Sequence, residues 1–352
     1  IDVYWINTSG VGVYYGTIAP GGSMTQPTGS THNWYITEQG QTAVLDLIQG
    51  AVGQTYTLTS DFNDTLDGGI GDDQINGGYG ADSILAGDGN DTVTGGVGND
   101  TVFGGQGSDN ITLGDGNDSF GDWSTEGGND TVYGGLGNDY IIGGGENDLV
   151  DGGDGNDSLS GGVGSDSAYG GAGSDVFMVT DDHEYDYLDG GETGTDFDVV
   201  YFGNYLTTQG VTVTFSGTGA GNYDFDGSAG YGSFVGIEGM AGTDYADILN
   251  AGADTGGILL EGNAGADSMT GGSGNDTLYG GDGADTIYFG AGADTVYGGD
   301  GDDLIDDVNG TNLAGASLVY GGSGNDQVWT GGGNDTVYGD DGNDVVDAEL
   351  GN

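Results

Sequence analysis

Apolar residues recur along much of this chain with a period of nine. From Gly68 the sequence runs GGIGDDQIN, GGYGADSIL, AGDGNDTVT, GGVGNDTVF, GGQGSDNIT and LGDGNDSFG. Each unit carries an Asp at its sixth position and an apolar residue two places later. The apolar positions are Leu66, Ile75, Ile84, Val93, Val102, Ile111, Phe120, Val132, Ile141, Val150, Leu159, Ala168 and Phe177, then Met269, Leu278, Ile287, Val296, Ile305, Val328, Val337 and Val346. All but Ala168 are large. A period of nine fits no helix. It predicts a three-residue strand per unit, whose one apolar side chain points inward while its neighbours face solvent. Two units then make one coil of a parallel β-roll, and alternate units share a face.

The repeats fall into two arrays. The first carries thirteen Asp in the sixth-position slot: Asp64, Asp73, Asp82, Asp91, Asp100, Asp109, Asp118, Asp130, Asp139, Asp148, Asp157, Asp166 and Asp175. The second carries eight: Asp267, Asp276, Asp285, Asp294, Asp303, Asp326, Asp335 and Asp344. Glu146 stands where a turn Gly is expected, and Asp122 to Gly127 and Asp307 to Ser317 read as insertions, with bulged turns and weaker or missing ions expected there. Residues 179–240 lose the period, gain aromatics, and contain alternating runs such as Val211 to Phe215. They read as ordinary strands that continue the solenoid with longer coils, or as a small inserted β domain.

Residues 1–58 follow another rule. Strand-like runs at Asp2 to Asn7, Val13 to Ile18, Asn33 to Thr37, Ala43 to Ile48 and Thr55 to Thr59 alternate with turn residues, which suggests a compact β-sandwich. The predicted fold is therefore all-β: a parallel β-roll solenoid in two arrays (59–178 and 241–352) with an irregular β interruption (179–240), preceded by a small β-sandwich (1–58).

Composition sharpens the chemistry. The 352 residues include 84 Gly, 2 Pro, no Cys, no Lys or Arg and 58 acidic residues, for a formal charge of −58. Such a chain offers nothing to nucleic acid or an anionic bilayer, and it has no apolar run long enough for a membrane-spanning helix. Without Cys there is no disulfide framework or thiol nucleophile. The acidity must be neutralised from outside. Gly in the turns permits positive φ and lets backbone carbonyls approach a cation, and Asp carboxylates are the hard oxygen ligands that Ca²⁺ prefers. The chain opens on Ile1, which reads as a mature form or a fragment.

These units resemble the RTX (repeats-in-toxin) family, whose GGxGxDxUx repeat binds Ca²⁺ in a β-roll. The resemblance covers roughly residues 60 to 178 and 241 to 352. It implies the twenty-one slot Asp as metal ligands and several bound Ca²⁺, on the order of fifteen to twenty if each stacked pair of turns takes one. It further implies a chain that is extended at cytosolic calcium and folds outside the cell, with type I export to the exterior or surface of a Gram-negative bacterium. Without metal, so thin a core is not expected to outweigh chain entropy and charge repulsion. Residues 4–38 resemble the β-domain of the von Hippel-Lindau tumour suppressor, through Trp5, Asn7, Gly10, Tyr15, Pro20-Gly21 and His32-x-Trp34. That resemblance implies a pocket for a hydroxyproline-bearing peptide, with Trp5 and Trp34 as walls, Tyr15 on the peptide backbone, and Thr28 and His32 on the hydroxyl. The same aromatics equally suit the core of a small sandwich.

No HExxH, no GxSxG and no Lys are present, so no enzyme is expected. His183, in Asp181-Asp-His-Glu184, reads as a solvated loop residue or a metal-site member. Three places after the slot Asp stand Phe103, Tyr133, Tyr169, Tyr279, Tyr288, Tyr297, Trp329 and Tyr338, where side chains point outward. Such rows dock a glycan or a protein, or stack to stiffen the solenoid. The expected function is a secreted, calcium-stiffened structural protein: a filament subunit joined head to tail, since the chain stops in mid-repeat, or an adhesin stalk. The alternatives are the calcium-binding module of a secreted hydrolase or polysaccharide-modifying enzyme, and a binding module for a proline- or hydroxyproline-containing partner.

Overall fold

The computed structural model describes residues 2–6, 12–17, 33–37, 55–57, 63–121, 127–180, 184–191, 196–203, 209–225, 232–307, 315–348 and 350–351. Every regular element among them is a strand. The chain divides into two units, Ile1–Asp175 and Val176–Asn352.

In the first unit, alternate repeats stack in parallel into two sheets. Thr65–Ile70, Ser83–Asp88, Thr101–Gln106, Ser119–Gly121, Tyr140–Gly145 and Ser158–Val163 form one. Gln74–Tyr79, Thr92–Val97, Asn110–Asp115, Thr131–Leu136, Leu149–Asp154 and Ser167–Ala172 form the other. Each repeat is thus half a coil of a parallel β-solenoid.

Most of these strands are six residues long, twice the expected length. Pairing runs on past the apolar residue and through both glycines, with Gly69 opposite Gly87 and Ile70 opposite Asp88. Glycine permits this because consecutive coils approach too closely for a side chain. Gly87 has φ +117°, and a Cβ there would collide with the backbone of Gly69.

Register lines the apolar residues into two columns, Leu66-Ile84-Val102-Phe120-Ile141-Leu159 and Ile75-Val93-Ile111-Val132-Val150-Ala168, all buried. Each large side chain contributes about 1.5–3 kcal/mol, so the core is a single file of side chains per sheet. Neither irregularity breaks the register. Asn110 pairs with Thr131 after a longer connection just as it pairs with Thr92 before it. Glu146 adopts φ +73° in the place of a turn Gly, and Ile142 still lies opposite Ser160.

Nearer the start of the unit, Asp2–Ile6 is flanked by Gly12–Thr17 and Asn33–Thr37, antiparallel to both. Trp34 lies opposite Tyr56 of Thr55–Thr57, which pairs in parallel with Gln74–Tyr79.

The second unit is again a parallel solenoid. One stack runs Val176–Met178, Val199–Tyr201, Gly239–Ala241, Leu259–Glu261, Thr277–Asp282, Thr295–Asp300, Leu318–Ser323 and Thr336–Asp341. The other includes Thr212–Gly217, Ile248–Asn250, Ser268–Gly272, Thr286–Gly290, Leu304–Asp306, Gln327–Trp329 and Val345–Asp347.

The aperiodic stretch adds an antiparallel hairpin, Thr212–Gly217 with Ala220–Asp224, whose second strand pairs antiparallel with Gly232–Val235. Its interior is aromatic: Phe202 lies 5.1 Å from Tyr223, and Phe215 lies 4.9 Å from Phe234. The buried Tyr223 hydroxyl donates to Asp186 Oδ2 at 2.8 Å. The nine-residue pattern lapses where these larger side chains are supplied.

The expected insertion at Asp307 to Ser317 hides a further repeat. Ser317 occupies the Asp slot, Val319 is fully buried two places on, and Leu318–Ser323 pairs on both sides.

Candidate metal centre

The slot residues of each sheet are joined coil to coil by a side-chain ladder. Asp64 N–H donates to Asp82 Oδ1 at 2.7 Å, and the same bond repeats through Asp100, Asp118, Asp139, Asp157 and Asp175. The second row runs Asp73, Asp91, Asp109, Asp130, Asp148 and Asp166, every bond at 2.8 Å. Both rows run on past the long connection after Asp118 and the Glu146 turn, where bulged turns and weaker or missing ions are expected.

In the second unit the rows are Asp247, Asp267, Asp285, Asp303, Asp326 and Asp344, and Ile258, Asp276, Asp294, Ser317 and Asp335. All twenty-one predicted slot Asp therefore stand in one of these rows. Nineteen are buried, and Asp335 and Asp344 are half-buried.

One carboxylate oxygen is used in the ladder. The other, Oδ2, is buried without a hydrogen-bond partner at Asp82, Asp91, Asp100, Asp118, Asp139 and Asp157, and at Asp267, Asp276, Asp285, Asp294, Asp303 and Asp326. Beside nine of the twelve lies a glycine, while Ala86, Leu113 and Phe289 stand at that place before Asp91, Asp118 and Asp294. A Cβ on Gly95 would stand 2.6 Å from Asp100 Oδ2 and 2.5 Å from Leu113 O of the neighbouring coil. At Gly271 the corresponding distances are 2.6 Å to Asp276 Oδ2 and 2.7 Å to Phe289 O, and at Gly321 2.5 Å to Asp326 Oδ2 and 2.8 Å to Gly339 O. At these nine turns a carboxylate oxygen and a carbonyl oxygen converge on a space that glycine leaves open.

A buried carboxylate with no donor is costly, and this chain has no Lys or Arg to offset it. The metal-free carboxyls respond by titrating late. Burial pushes Asp100, Asp139, Asp267 and Asp276 up to about 7, and Asp82, Asp157, Asp294 and Asp303 up to about 6, against the lowering effect of the ladder N–H. Neighbouring carboxylates add to the rise at Asp100, Asp139, Asp267 and Asp276.

The donor set is all hard oxygen, which fits Ca²⁺. Among the described residues no three acidic or His side chains gather at one point. A cation here would take one carboxylate per turn and complete its shell with backbone carbonyls.

The RTX calcium-binding nonapeptide repeat family, described in units of four copies, matches residues 58–93, 85–120, 124–159, 151–180, 261–296, 290–306 and 315–352. Together these matches cover more than half of the chain. The chain belongs to the RTX calcium-binding repeat family. RTX repeats bind calcium and are typical of secreted or extracellular bacterial proteins. No curated protein sequence matches the chain.

Several slots of the solenoid do not stand out as repeats in the sequence. Asp198 and Asp247 are buried slot residues followed two places later by the buried Val200 and Leu249, but the sequences before them depart from the repeat's glycine pattern. Ser317 and Ile258 keep the slot's backbone N–H while lacking a carboxylate.

The RTX matches begin at residue 58, and nothing among them supports the likeness of residues 4–38 to the von Hippel-Lindau domain. Thr28 and His32 lie outside the described residues, as does His183. Trp5, Tyr15 and Trp34 lie on described strands, with Trp5 opposite Trp34.

The outward aromatics organise in the second unit. Tyr279, Tyr297, Tyr320 and Tyr338 stack at 4.7, 5.0 and 4.9 Å with rings within 10° of parallel. Tyr320 belongs to the hidden repeat at Ser317. The faces of the two inner rings are covered by their neighbours, which is the stiffening arrangement. Tyr288 and Trp329 lie on the other sheet, separated by Asp306.

Proposed function

We propose that this chain is a calcium-folded structural module of a secreted bacterial protein, without catalytic activity of its own. The observation that carries this reading is the repeated buried Oδ2, lacking a hydrogen-bond partner, beside a carbonyl of the next coil. In the reading, the twenty-one slot Asp hold Ca²⁺ together with turn carbonyls. Calcium supplies the positive charge that the sequence lacks. The chain's own residues do the rest: ladder N–H groups fix the carboxylates, glycines keep the space open at most turns, and the apolar columns set the register. Calcium near the millimolar level, as outside cells, drives folding, whereas the cytosol leaves the chain unfolded and exportable.

Hydrogen exchange with about 2 mM Ca²⁺, and again with excess chelator, tests the proposal. Residues 63–121 and 277–306 are expected to be protected with calcium and to exchange freely without it. Equal protection in chelator at neutral pH would sink the reading. Surface display and head-to-tail assembly extend the same proposal. Negative-stain electron microscopy is expected to show fibres with calcium that disappear with chelator, and dispersed particles in both conditions would remove the assembly.

A further inference from the structure

One slot in the second unit is built differently from its neighbours. Both oxygens of Asp247 are taken by protein donors. Oδ1 accepts from Val211 N–H at 2.6 Å and from the Thr243 hydroxyl at 2.9 Å, and Oδ2 accepts from Thr243 N–H at 2.6 Å. No oxygen is left over.

The cause lies four residues before the slot. At each of the twelve turns whose Oδ2 lacks a partner, the residue at that position has φ > 0: Gly78 before Asp82, Gly281 before Asp285, Gly290 before Asp294, and Asn263, with φ +70°, before Asp267. In the six-residue strands this position stays in the sheet, with Gly281 opposite Gly299. The equivalent residue before Asp247 is Thr243. A β-branched side chain strongly disfavours φ > 0, and Thr243 does not adopt it. The strand Gly239–Ala241 stops short of it, and the turn brings the Thr243 N–H onto the carboxylate.

We propose that the residue four places before each slot Asp decides whether the turn takes a cation, and that Thr243 makes the Asp247 turn a calcium-free joint inside the solenoid. This inference rests on the calcium reading of the other slots. A left-handed residue leaves Oδ2 open for the metal. Thr243 closes it with an N–H and a hydroxyl, so this turn needs no ion to hold Asp247.

Counting calcium bound per full-length chain, by equilibrium dialysis with atomic absorption, tests it. Asp247→Asn is expected to bind as many ions as wild type, Asp285→Asn at least one fewer, and Thr243→Gly one more. Thr243→Val, which keeps the N–H and loses the hydroxyl, is expected to leave the count unchanged. Hydrogen exchange of wild type in chelator is the second readout, with residues 239–250 more protected than 277–306. Equal ion loss in Asp247→Asn and Asp285→Asn, or no gain in a folded Thr243→Gly, overturns the inference while leaving the calcium reading intact. A wild type that binds no calcium removes both.

Discussion

The sign of the slot titration follows from geometry at a single Asp. The fold buries the charged carboxylate without a cation, so the metal-free folded state prefers the protonated acid and its pKa rises, as at Asp139 and Asp276. A raised folded-state value means stability that is complete below the ordinary carboxylate range and lost as pH climbs through about 6 to 7. In chelator, circular dichroism is therefore expected to show more β-structure near pH 5 than near pH 8. With calcium the dependence reverses, because protons compete for the ligand oxygens, and acidification is expected to release the ion. A metal-free chain equally unfolded at both pH values would count against the burial argument. The turn glycines are as demanding as the acids. Gly96→Ala places a Cβ at φ +126° against the Gly78 carbonyl. The left-handed conformation alone costs about 1–2 kcal/mol, so the calcium-loaded variant is expected to unfold at visibly lower urea.

At the scale of the strand, the single-file core concentrates stability in few side chains. Phe120 is fully buried in the three-residue strand Ser119–Gly121, between Thr101–Gln106 and Tyr140–Gly145. Its replacement by Ala is expected to cost about 3–5 kcal/mol in calcium, measured by denaturant unfolding. Tyr320→Ala breaks two stacked pairs, each worth about 0.5–1.5 kcal/mol. It is expected to lower the melting temperature and reduce the near-ultraviolet dichroism, and an unchanged spectrum would show that the stack contributes nothing in solution.

The period of nine made the strands, the apolar columns as far as Val328 and all twenty-one ladder Asp readable, because each repeat obeys the same local rule; beyond them Val337 is half-buried and Val346 exposed, although the pattern points both inward. Strand length was misjudged because pairing through glycines such as Gly69 depends on the next coil, which leaves no mark on the residue itself. Ser317 was missed because its backbone N–H fills the slot's role, and Thr243 because a carboxylate's partners depend on how a turn bends.

Across the whole chain the controlling quantity is charge. The formal −58 has no internal counter-ion, and the apolar columns are too narrow to overcome that repulsion alone. Removing calcium is expected to raise the hydrodynamic radius sharply, as read by size exclusion. Magnesium at the same concentration is not expected to restore the compact form, because it holds its own waters and demands tight octahedral geometry. Recovery in magnesium would mean that charge neutralisation alone suffices, with no need for a site shaped by carbonyls and carboxylates.

The ladder has a mechanical consequence. Asp64 grips Asp82, and Asp82 grips Asp100, so most neighbouring coils are tied at intervals of 18 residues. Pulled from its ends, such a ladder surrenders one coil at a time, each release adding about 6 nm of extended chain. A calcium-loaded chain under tension would act as a row of similar fuses, lengthening in steps of 18 to 23 residues and closing again when the load falls.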